Sequence, residues 1–475
     1  MDKVKDKCIF ILILFFILLL RIPYISNSPY EQGENWRQSD TESIARNFVE
    51  ERFNIFYPQF NYDGPLPNYV QLEFQITTFI IAILYKLFGY HYIFARVVPI
   101  SFFMGSCIFL YLIGRFFYSK AQSYMILILY ALIPINIYFS RAIMPESAAL
   151  FFYLGAFYFY LKWIYKEEKK YIYSGAFFTA LAISQKIPTV FIGIPMFVMA
   201  IEKYKEKIYK IKELYIFAVI SLGSPFLYFK WMDYIAEFKF VNKIAEKHIF
   251  KRLFTDIFTK EAIDFFKTKL PQEFTLEVLL LFLTGLLMLK LKKELPIVFW
   301  LLAMLAELVF IVAVIRLNYY LIFIGPLMAI IASKALYFIW EHKYGGVFVT
   351  AIIFSIAFNS FLRVRPLYQE KSNLLKQANM VKKYTDAEDL IVVGTPDPAL
   401  INASERKGWR VNIDYYDHIP KDPIEEIQYY IENGAKYFVP MKGWIHNDTG
   451  EYRNYLEENF KKIVDEEGYF IYILQ

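Results

Sequence analysis

The chain has 475 residues, of which 57% are apolar, 20% aromatic and only 21% charged, with a formal net charge of +6. Its apolar residues come in runs: Ile9–Leu20 holds no charge, and Phe274–Leu289 holds only Glu277. Such runs are long enough to cross about 30 Å of hydrocarbon as helices, and the short alternating segments of a membrane barrel are absent. Composition therefore excludes an ordinary soluble domain and predicts a polytopic α-helical membrane protein.

The net charge is unevenly distributed. From Pro366 to Gln475 there are 13 basic and 19 acidic residues, so this tail carries −6 and the remainder +12. Much of the positive charge lies in short loops between apolar runs, a pattern typical of membrane topology and not of a nucleic-acid surface. The cysteines, Cys8 and Cys107, lie in apolar runs and form neither a disulfide framework nor a metal pair.

In chain order, the apolar runs predict about 11 crossings of the cell membrane. The first run follows three lysines and lacks a small-residue cleavage site, so we interpret it as a retained anchor with a cytoplasmic N-terminus. The predicted crossings lie near 8–25, 92–114, 121–139, 146–161, 171–185, 189–201, 213–229, 274–290, 295–315, 318–337 and 346–362.

The apolar run 72–88 does not fit as a further crossing. If it crossed, every later basic loop would fall on the outside, against the rule that Lys and Arg mark cytoplasmic loops. We therefore predict that 72–88 is an interfacial or re-entrant helix within a first outside loop spanning about 26–91. The odd number of crossings then places the C-terminal segment outside.

The tail predicts a small extracytoplasmic α/β domain. We predict strands at Asp389–Gly394, Gly408–Ile413, Ala435–Pro440 and Tyr469–Leu474, and helices at 373–385, 422–433 and 451–462. Residue Gly394 is followed by Thr-Pro-Asp-Pro and no glycine-rich nucleotide fingerprint appears. We therefore expect a transmembrane catalytic domain at 1–365 and an accessory domain without a cofactor at 366–475.

The first outside loop is the candidate site, because ionisable residues kept at a membrane surface indicate function by default. A helix predicted to begin near Ser39 places Asp40, Ser43 and Asn47 on one face. At the start of that helix the dipole would keep the Asp40 carboxylate ionised. The structural alternative is that Asp40 is a plain N-cap.

The motif W-R-Q-x-D-T-x-x-I-A-R-N-F at 36–48 resembles the GT-C superfamily of glycosyltransferases. The resemblance is to the family 39 type, which includes protein O-mannosyltransferases and the lipid A aminoarabinose transferase, and it covers roughly 20–330. In that pattern Asp40 falls on the acidic residue of the first outside loop. The other matches are Glu73-Phe74 with Gln75 where Pro is common, Arg141 with Glu146 where Asp is usual, and Arg316, Tyr319, Tyr320 and Pro326 in a late R-x-x-Y-Y-x-x-x-x-x-P.

The resemblance implies an inverting hexosyl- or pentosyltransferase that uses a polyprenyl-phosphate-linked sugar on the outer face. Its partners would be membrane lipids and an acceptor that is a glycan, a lipid or a protein, with no nucleic acid. Displacement at the anomeric carbon needs a general base, for which we assign Asp40, with Glu73 as the alternative. It also needs donors for the departing phosphate. The candidates for binding this substrate are Arg37, Arg96, Arg141, Glu146, Lys186, Arg316, Tyr319 and Tyr320.

Several alternatives remain open from the sequence. Arg96 and Arg316 would also fit as snorkelling residues at helix ends. Some GT-C enzymes use a divalent cation and others do not, and no spacing here demands one, so we assign no metal ligand and no certain cofactor. Other functions to weigh are a flippase or transporter of lipid-linked saccharides, a polysaccharide polymerase or ligase, and a non-catalytic lipid-binding subunit. A transporter needs polar residues within its crossings, and Glu307 is the clearest of the few present.

Overall fold

The computed structural model describes residues 2–237, 246, 249–413 and 416–475. Its longer helices are, in chain order, α1 Asp2–Leu19, α2 Trp36–Glu50, α3 Ile76–Phe88, α4 Tyr92–Phe117, α5 Lys120–Leu132, α6 Pro134–Phe139, α7 Glu146–Lys166, α8 Lys169–Gln185, α9 Gly193–Tyr204, α10 Lys212–Ile235, α11 Lys260–Phe274, α12 Leu276–Leu287, α13 Leu295–Glu307, α14 Gly325–Trp340, α15 Gly345–Val364, α16 Ser372–Tyr384, α17 Ala399–Ala403, α18 Pro423–Glu432 and α19 Glu451–Asn459. Five strands follow α16: β1 Leu390–Val393, β2 Lys407–Arg410, β3 Ala435–Val439, β4 Lys461–Glu466 and β5 Tyr469–Ile473.

The chain divides into two compact units. The first, which we call the helical unit, comprises Met1–Ile25, Arg96–Phe229 and His248–Leu367. The second, the sheet unit, comprises Ser26–Ala95, Lys230–Lys247 and Tyr368–Gln475.

Among the described residues, seven helical segments are long and apolar enough to cross a membrane: Tyr92–Phe117, Glu146–Lys166, Ile187–Lys210, Lys212–Ile235, Leu295–Ile315, Asn318–Trp340 and Gly345–Tyr368. The pair α11 and α12, bent by 100°, would make an eighth if it counts as one span. The predicted multi-pass helical architecture is thus confirmed. The other three of the 11 predicted crossings coincide with α1, with α5 and α6, and with α8, so their crossing stays a prediction.

Proline and glycine shape the helical unit. Pro134 separates α5 from α6, because the residue before a proline is pushed out of the helical region, and Ile133 is accordingly extended. Helix α12 approaches α14 so closely at Gly285 that a Cβ there would lie 2.0 Å from the carbonyl oxygen of Ile331. Such close backbone contact at a small residue is the usual packing of membrane helices.

The sheet unit is built on a five-stranded sheet of order β2-β1-β3-β5-β4. Strand β1 pairs in parallel with β2 and β3, whereas β5 runs antiparallel to β3 and β4. The small C-terminal α/β domain is confirmed, and the four predicted strands are present. Strand β4 was not predicted, because its charged sequence KKIVDE continues the polar pattern of α19, which was expected to run to 462 and ends at Asn459.

The first loop is part of this sheet unit. The amide of Gln32 donates to the carbonyl of Gln369 at 2.8 Å, and the amide of Lys371 to that of Tyr30 at 2.9 Å. A second backbone pair joins the amide of Asp63 to the carbonyl of Gly408 at 2.9 Å. The first loop therefore groups with the C-terminal residues in the sheet unit. The predicted domain boundary at 365 had assigned this loop to the transmembrane domain.

The apolar segment predicted to be interfacial forms the short helix α3. Its 13 residues span about 20 Å, less than the roughly 30 Å of a bilayer core. It belongs to the sheet unit and packs on α2. A helix of this length fits the predicted interfacial position, which remains a prediction.

Candidate active site

Helix α2 carries Asp40, but not at its start. The helix begins at Trp36, three residues before the predicted position, and Asn35 is its N-cap. Asp40 is therefore the fifth residue of the helix, and its interpretation as an N-cap is wrong. The predicted polar face is buried: Asp40, Ser43 and Asn47 are at most 5% exposed.

Two neutral donors hold one oxygen of the Asp40 carboxylate. Its Oδ1 accepts hydrogen bonds from the Tyr62 hydroxyl at 2.9 Å and the Asn402 amide at 3.2 Å. Burial raises the pKa of Asp40 from 3.8 to about 7, against the opposing effects of Arg37, the two hydrogen bonds and Arg410. The expectation that the helix dipole keeps this carboxylate fully ionised is corrected, because burial outweighs every stabilising interaction.

A chain of amides orients Asn402. The Asn47 amide donates to Asn61 Oδ1 at 2.8 Å, and the Asn61 amide donates to Asn402 Oδ1 at 3.2 Å. Because the oxygen of Asn402 is thus used as an acceptor, its NH₂ group faces Asp40. Sequence analysis missed Asn402, which lies 362 positions from Asp40 in an unremarkable helix α17.

Arg37 and Glu73 form an ion pair with each other, and their side chains are 15% and 17% exposed. The positive charge of Arg37 also acts to lower the pKa of Asp40. The structure thus brings together the proposed base, its proposed alternative and one proposed phosphate ligand. Within this group, Glu73 is compensated by a cation, whereas Asp40 Oδ1 is held by neutral donors.

A second buried carboxylate, Glu42, anchors α2. Glu42 is 2% exposed and contacts Arg46 Nε at 2.7 Å and the hydroxyl of Tyr85, in α3, at 3.1 Å. Burial raises the pKa of Glu42, and Arg46 opposes the rise. Residues two apart on a helix face different directions, so Glu42 serves the contact with α3 and not the surroundings of Asp40.

A tight ionic contact in the helical unit gathers four predicted residues. Lys186 Nζ lies 2.7 Å from Glu146 Oε1, and both side chains are at least nine-tenths buried. The same ammonium lies 5.3 and 5.2 Å from the ring centroids of Tyr319 and Tyr320, which are stacked at 5.1 Å. We call these four residues the Lys186 cluster.

The remaining predicted arginines of the helical unit are also engaged. Arg96 and Arg141 are fully buried, and Arg96 donates to the Arg141 carbonyl at 3.3 Å. Arg141 donates to the carbonyl of Tyr24. Arg316 pairs with Asp256 at 3.0 Å and remains 28% exposed, so its guanidinium has a specific acidic partner that was not foreseen.

No metal centre is evident in the part of the chain that the structure describes. Within those residues, no group of three His, Cys, Asp or Glu side chains is placed to hold an ion. Asp40, Glu42, Asp63 and Glu146 instead contact cations or neutral donors of the protein itself.

Comparison with known proteins identifies the fold. The model of the dolichyl-phosphate-mannose-protein mannosyltransferase family matches residues 76–229. ArnT from Cupriavidus metallidurans, solved bound to undecaprenyl phosphate, is similar with a TM-score of 0.72 at 10% identity, covering 98% of this chain and 97% of that one. No curated protein matches in sequence.

Two other solved structures share the architecture. The Archaeoglobus fulgidus oligosaccharyltransferase has a TM-score of 0.60 at 12% identity, covering 97% of this chain and 72% of that one. The mycobacterial arabinofuranosyltransferase AftD has a TM-score of 0.58 at 13% identity, covering 98% and 39%. The chain thus has the multi-pass membrane fold of these solved structures. The family match over 76–229 lies within the residues 20–330 covered by the predicted resemblance to the GT-C superfamily, family 39 type, and supports that prediction.

Proposed function

We propose that the chain transfers one sugar, with inversion, from a polyprenyl-phosphate-sugar to an acceptor hydroxyl on the extracytoplasmic face of the plasma membrane. The observation that carries this proposal is the buried Asp40 carboxyl, whose pKa of about 7 suits a general base at neutral pH. The undecaprenyl phosphate bound to ArnT supports a lipid-linked donor. The positions of the basic loops support the sidedness.

Asp40 would act as the base of a single displacement. The acceptor oxygen bonds to the anomeric carbon, its proton passes to Asp40, and the bond from that carbon to the phosphate oxygen breaks. Polyprenyl phosphate leaves with the bonding electrons. Tyr62 and Asn402 hold Asp40 Oδ1, so the base is oriented before the acceptor arrives.

The departing phosphate needs positive charge. Lys186, whose ammonium is held between Glu146 and two tyrosine rings, is one candidate for this role. Arg37, Arg96, Arg141 and Arg316 remain further candidates, since a guanidinium fork matches phosphate oxygens. Each of these cations already has an acidic or carbonyl partner, so donor binding would redistribute those contacts.

A non-catalytic role for the loop is the second candidate. It is favoured by the burial of Asp40, only 2% exposed, which suits a residue that fastens α2 to α17. On this hypothesis the loop docks a partner and the carboxylate is structural. Replacing Asp40 by Asn separates the two, because an amide oxygen still accepts from Tyr62 and Asn402 but takes no proton.

The experiment is mass spectrometry of lipids and glycans from cells carrying wild type, Asp40→Asn, Glu50→Gln or no protein. Glu50 lies on the same helix and is exposed, which makes its variant a matched control. We expect a glycosylated product that is absent without the protein, retained in Glu50→Gln and lowered about 10²–10⁴-fold in Asp40→Asn. Equal protein in the membrane fraction confirms insertion. Full product in Asp40→Asn would move the base elsewhere, and movement of lipid-linked saccharide without transfer would favour a flippase.

A further inference from the structure

The sheet unit contains a cavity of about 400 Å³. It lies where β1 and β3 end, and it is lined by Gln32, Lys371, Ser372, Asn373, Leu374, Thr395, Asp397, Leu400, Met441 and Trp444. Ligand sites in proteins usually measure about 300–1,000 Å³. The cavity is therefore large enough for one or two sugar rings.

The topology of the sheet opens a crevice at this edge. Strand β1 lies between β2 and β3 and pairs with both in parallel. The chain passes from β1 to β2 on one side and then to β3 on the other side, so the order of the strands reverses at β1. In open parallel sheets, ligands bind outside the carboxyl ends of the strands at such a switch point. Thr395 and Asp397 follow β1, and Met441 and Trp444 follow β3, so both walls of this crevice line the cavity.

A tight turn presents Trp444 to the cavity. The Trp444 amide donates to the Met441 carbonyl at 2.8 Å, and Gly443 adopts a φ of 73°, which a glycine tolerates best. The indole is 47% exposed. An exposed tryptophan beside polar groups offers a flat apolar face with hydrogen-bonding partners at its edge.

The polar groups of the cavity suit sugar hydroxyls. Asp397 accepts from the Asn35 amide at 3.0 Å and the Ala399 amide at 2.9 Å, which leaves acceptor capacity on its two oxygens. Lys371 Nζ donates to Asn35 Oδ1 at 2.6 Å and retains further donors. A fixed carboxylate, an ammonium and the amides of Gln32 and Asn373 provide both donors and acceptors, as each sugar hydroxyl requires.

The same features disfavour a nucleotide or phosphate. Pro396 and Pro398 remove two backbone donors directly after β1, and the carboxylate of Asp397 would repel an anion. The chain has no glycine-rich turn at this point. The cavity is thus chemically a site for an uncharged polyol with an apolar face.

Two short elements connect the cavity to Asp40. Asn35, which bonds Asp397 and Lys371, is the N-cap of the helix that carries Asp40, and five residues of helix span about 7.5 Å. Helix α17 places Leu400 in the cavity wall and Asn402 against Asp40. A sugar bound here would lie close to the proposed base.

We propose that this cavity binds a sugar unit of the acceptor, with Trp444 as its stacking platform; the acceptor role rests on the proposed function. The acceptor is then a saccharide or a glycolipid and not a bare peptide side chain. Binding itself is independent of catalysis and can be measured separately.

The test is saturation-transfer NMR on the full chain in detergent, with methyl α-glucoside, methyl α-mannoside, methyl β-galactoside and methyl N-acetyl-β-glucosaminide as probes. We expect at least one to bind with a Kd of about 1–10 mM, a range typical of few contacts. Trp444→Ala should weaken binding at least about fivefold, and Trp444→Phe should restore part of it. Trp340→Ala, which removes a tryptophan of equal 47% exposure, should change nothing.

Asp40→Asn separates this inference from the proposed function. It should abolish transfer and leave probe binding intact. If the wild-type chain binds the probes through Trp444 but has no transferase activity, the acceptor role is refuted and the sugar site is retained. The sugar site is overturned if no probe binds at about 20 mM, if Trp444→Ala binds as wild type does, or if inorganic phosphate displaces the probes.

Discussion

The Lys186 cluster and the surroundings of Asp40 hold a buried charge in different ways. In the helical unit, Lys186 contacts Glu146 and Arg316 contacts Asp256, so these two cations have acidic partners. In the sheet unit, Asp63 is likewise paired with Arg410, but Asp40 Oδ1 is held by a hydroxyl and an amide. Burial raises the pKa of both carboxyls, and the Arg410 guanidinium opposes the rise at Asp63 through an ion pair and hydrogen bonds. This difference in partners supports the proposal that Asp40, and not Asp63, is the base.

The largest structural effect should come from the Asp63–Arg410 pair, in which Asp63 Oδ2 lies 2.8 Å from Arg410 Nε. Asp63→Asn keeps an acceptor and tolerates the φ of 61°, yet leaves a buried guanidinium uncompensated. We expect a loss of about 3–5 kcal/mol in unfolding free energy, measured as a fall in the thermal midpoint. Glu51→Gln, at the more exposed pair with Lys407, should cost at most about 1 kcal/mol. Equal losses of unfolding free energy in the two variants would contradict the expectation that breaking an ion pair costs more when the pair is buried.

The Lys186 cluster distinguishes structure from substrate binding. Lys186→Met alone should destabilise the protein by about 3 kcal/mol, because Glu146 is left buried without its cation. The double variant Lys186→Met with Glu146→Gln should recover most of that stability. If Lys186 binds the donor phosphate, transfer stays impaired in the double variant, with a raised KM for the lipid-linked donor. Recovery of both stability and transfer would reduce the pair to a structural contact.

Asp40 should make stability depend on pH in a defined direction. Its pKa is raised from 3.8 to about 7 on folding, so the folded state binds the extra proton. The resulting stabilisation is complete below about pH 4 and is lost as the pH rises to about 7. The side chain of the Asp40→Asn variant cannot ionise, so the variant should have a higher thermal midpoint than wild type. The difference should grow between pH 4 and 8 and reach up to about 4 kcal/mol in the free energy of unfolding. A difference in stability between the variant and wild type that does not change with pH would contradict the raised pKa of Asp40.

The smallest effect should come from Asn402. Its hydrogen bond favours the ionised form of Asp40, so Asn402→Ala should raise the pKa of Asp40 further. We expect transfer at pH 7 to fall about two- to fivefold and to recover by pH 9. Asn433→Ala, at the exposed asparagine that follows α18 as its C-cap, is the control. A loss that is equal at both pH values would mean that Asn402 acts only on the fold.

Sequence patterns predicted what depends on local composition. Apolar runs located the membrane helices, and Asp389–Gly394 located strand β1 within a residue or two. The position of Asp40 relative to its helix was missed, because α2 begins three residues earlier, at Trp36, and the Asn35 side chain before it bonds Asp397 and Lys371 of the tail instead of capping the helix. Contacts between the first loop and the tail, such as Asn402 with Asp40, leave no local signal, since they form only when distant segments fold together.

The pH dependence of transfer tests the central claim most directly. With Asp40 as the base, kcat/KM should rise about tenfold per pH unit below an apparent pKa near 7 and level off above it. Asn402→Ala should move that midpoint upward, and Asp40→Asn should remove the rise together with nearly all activity. A wild-type profile that is flat between pH 5 and 9, or a full profile in Asp40→Asn, would contradict the assignment of Asp40.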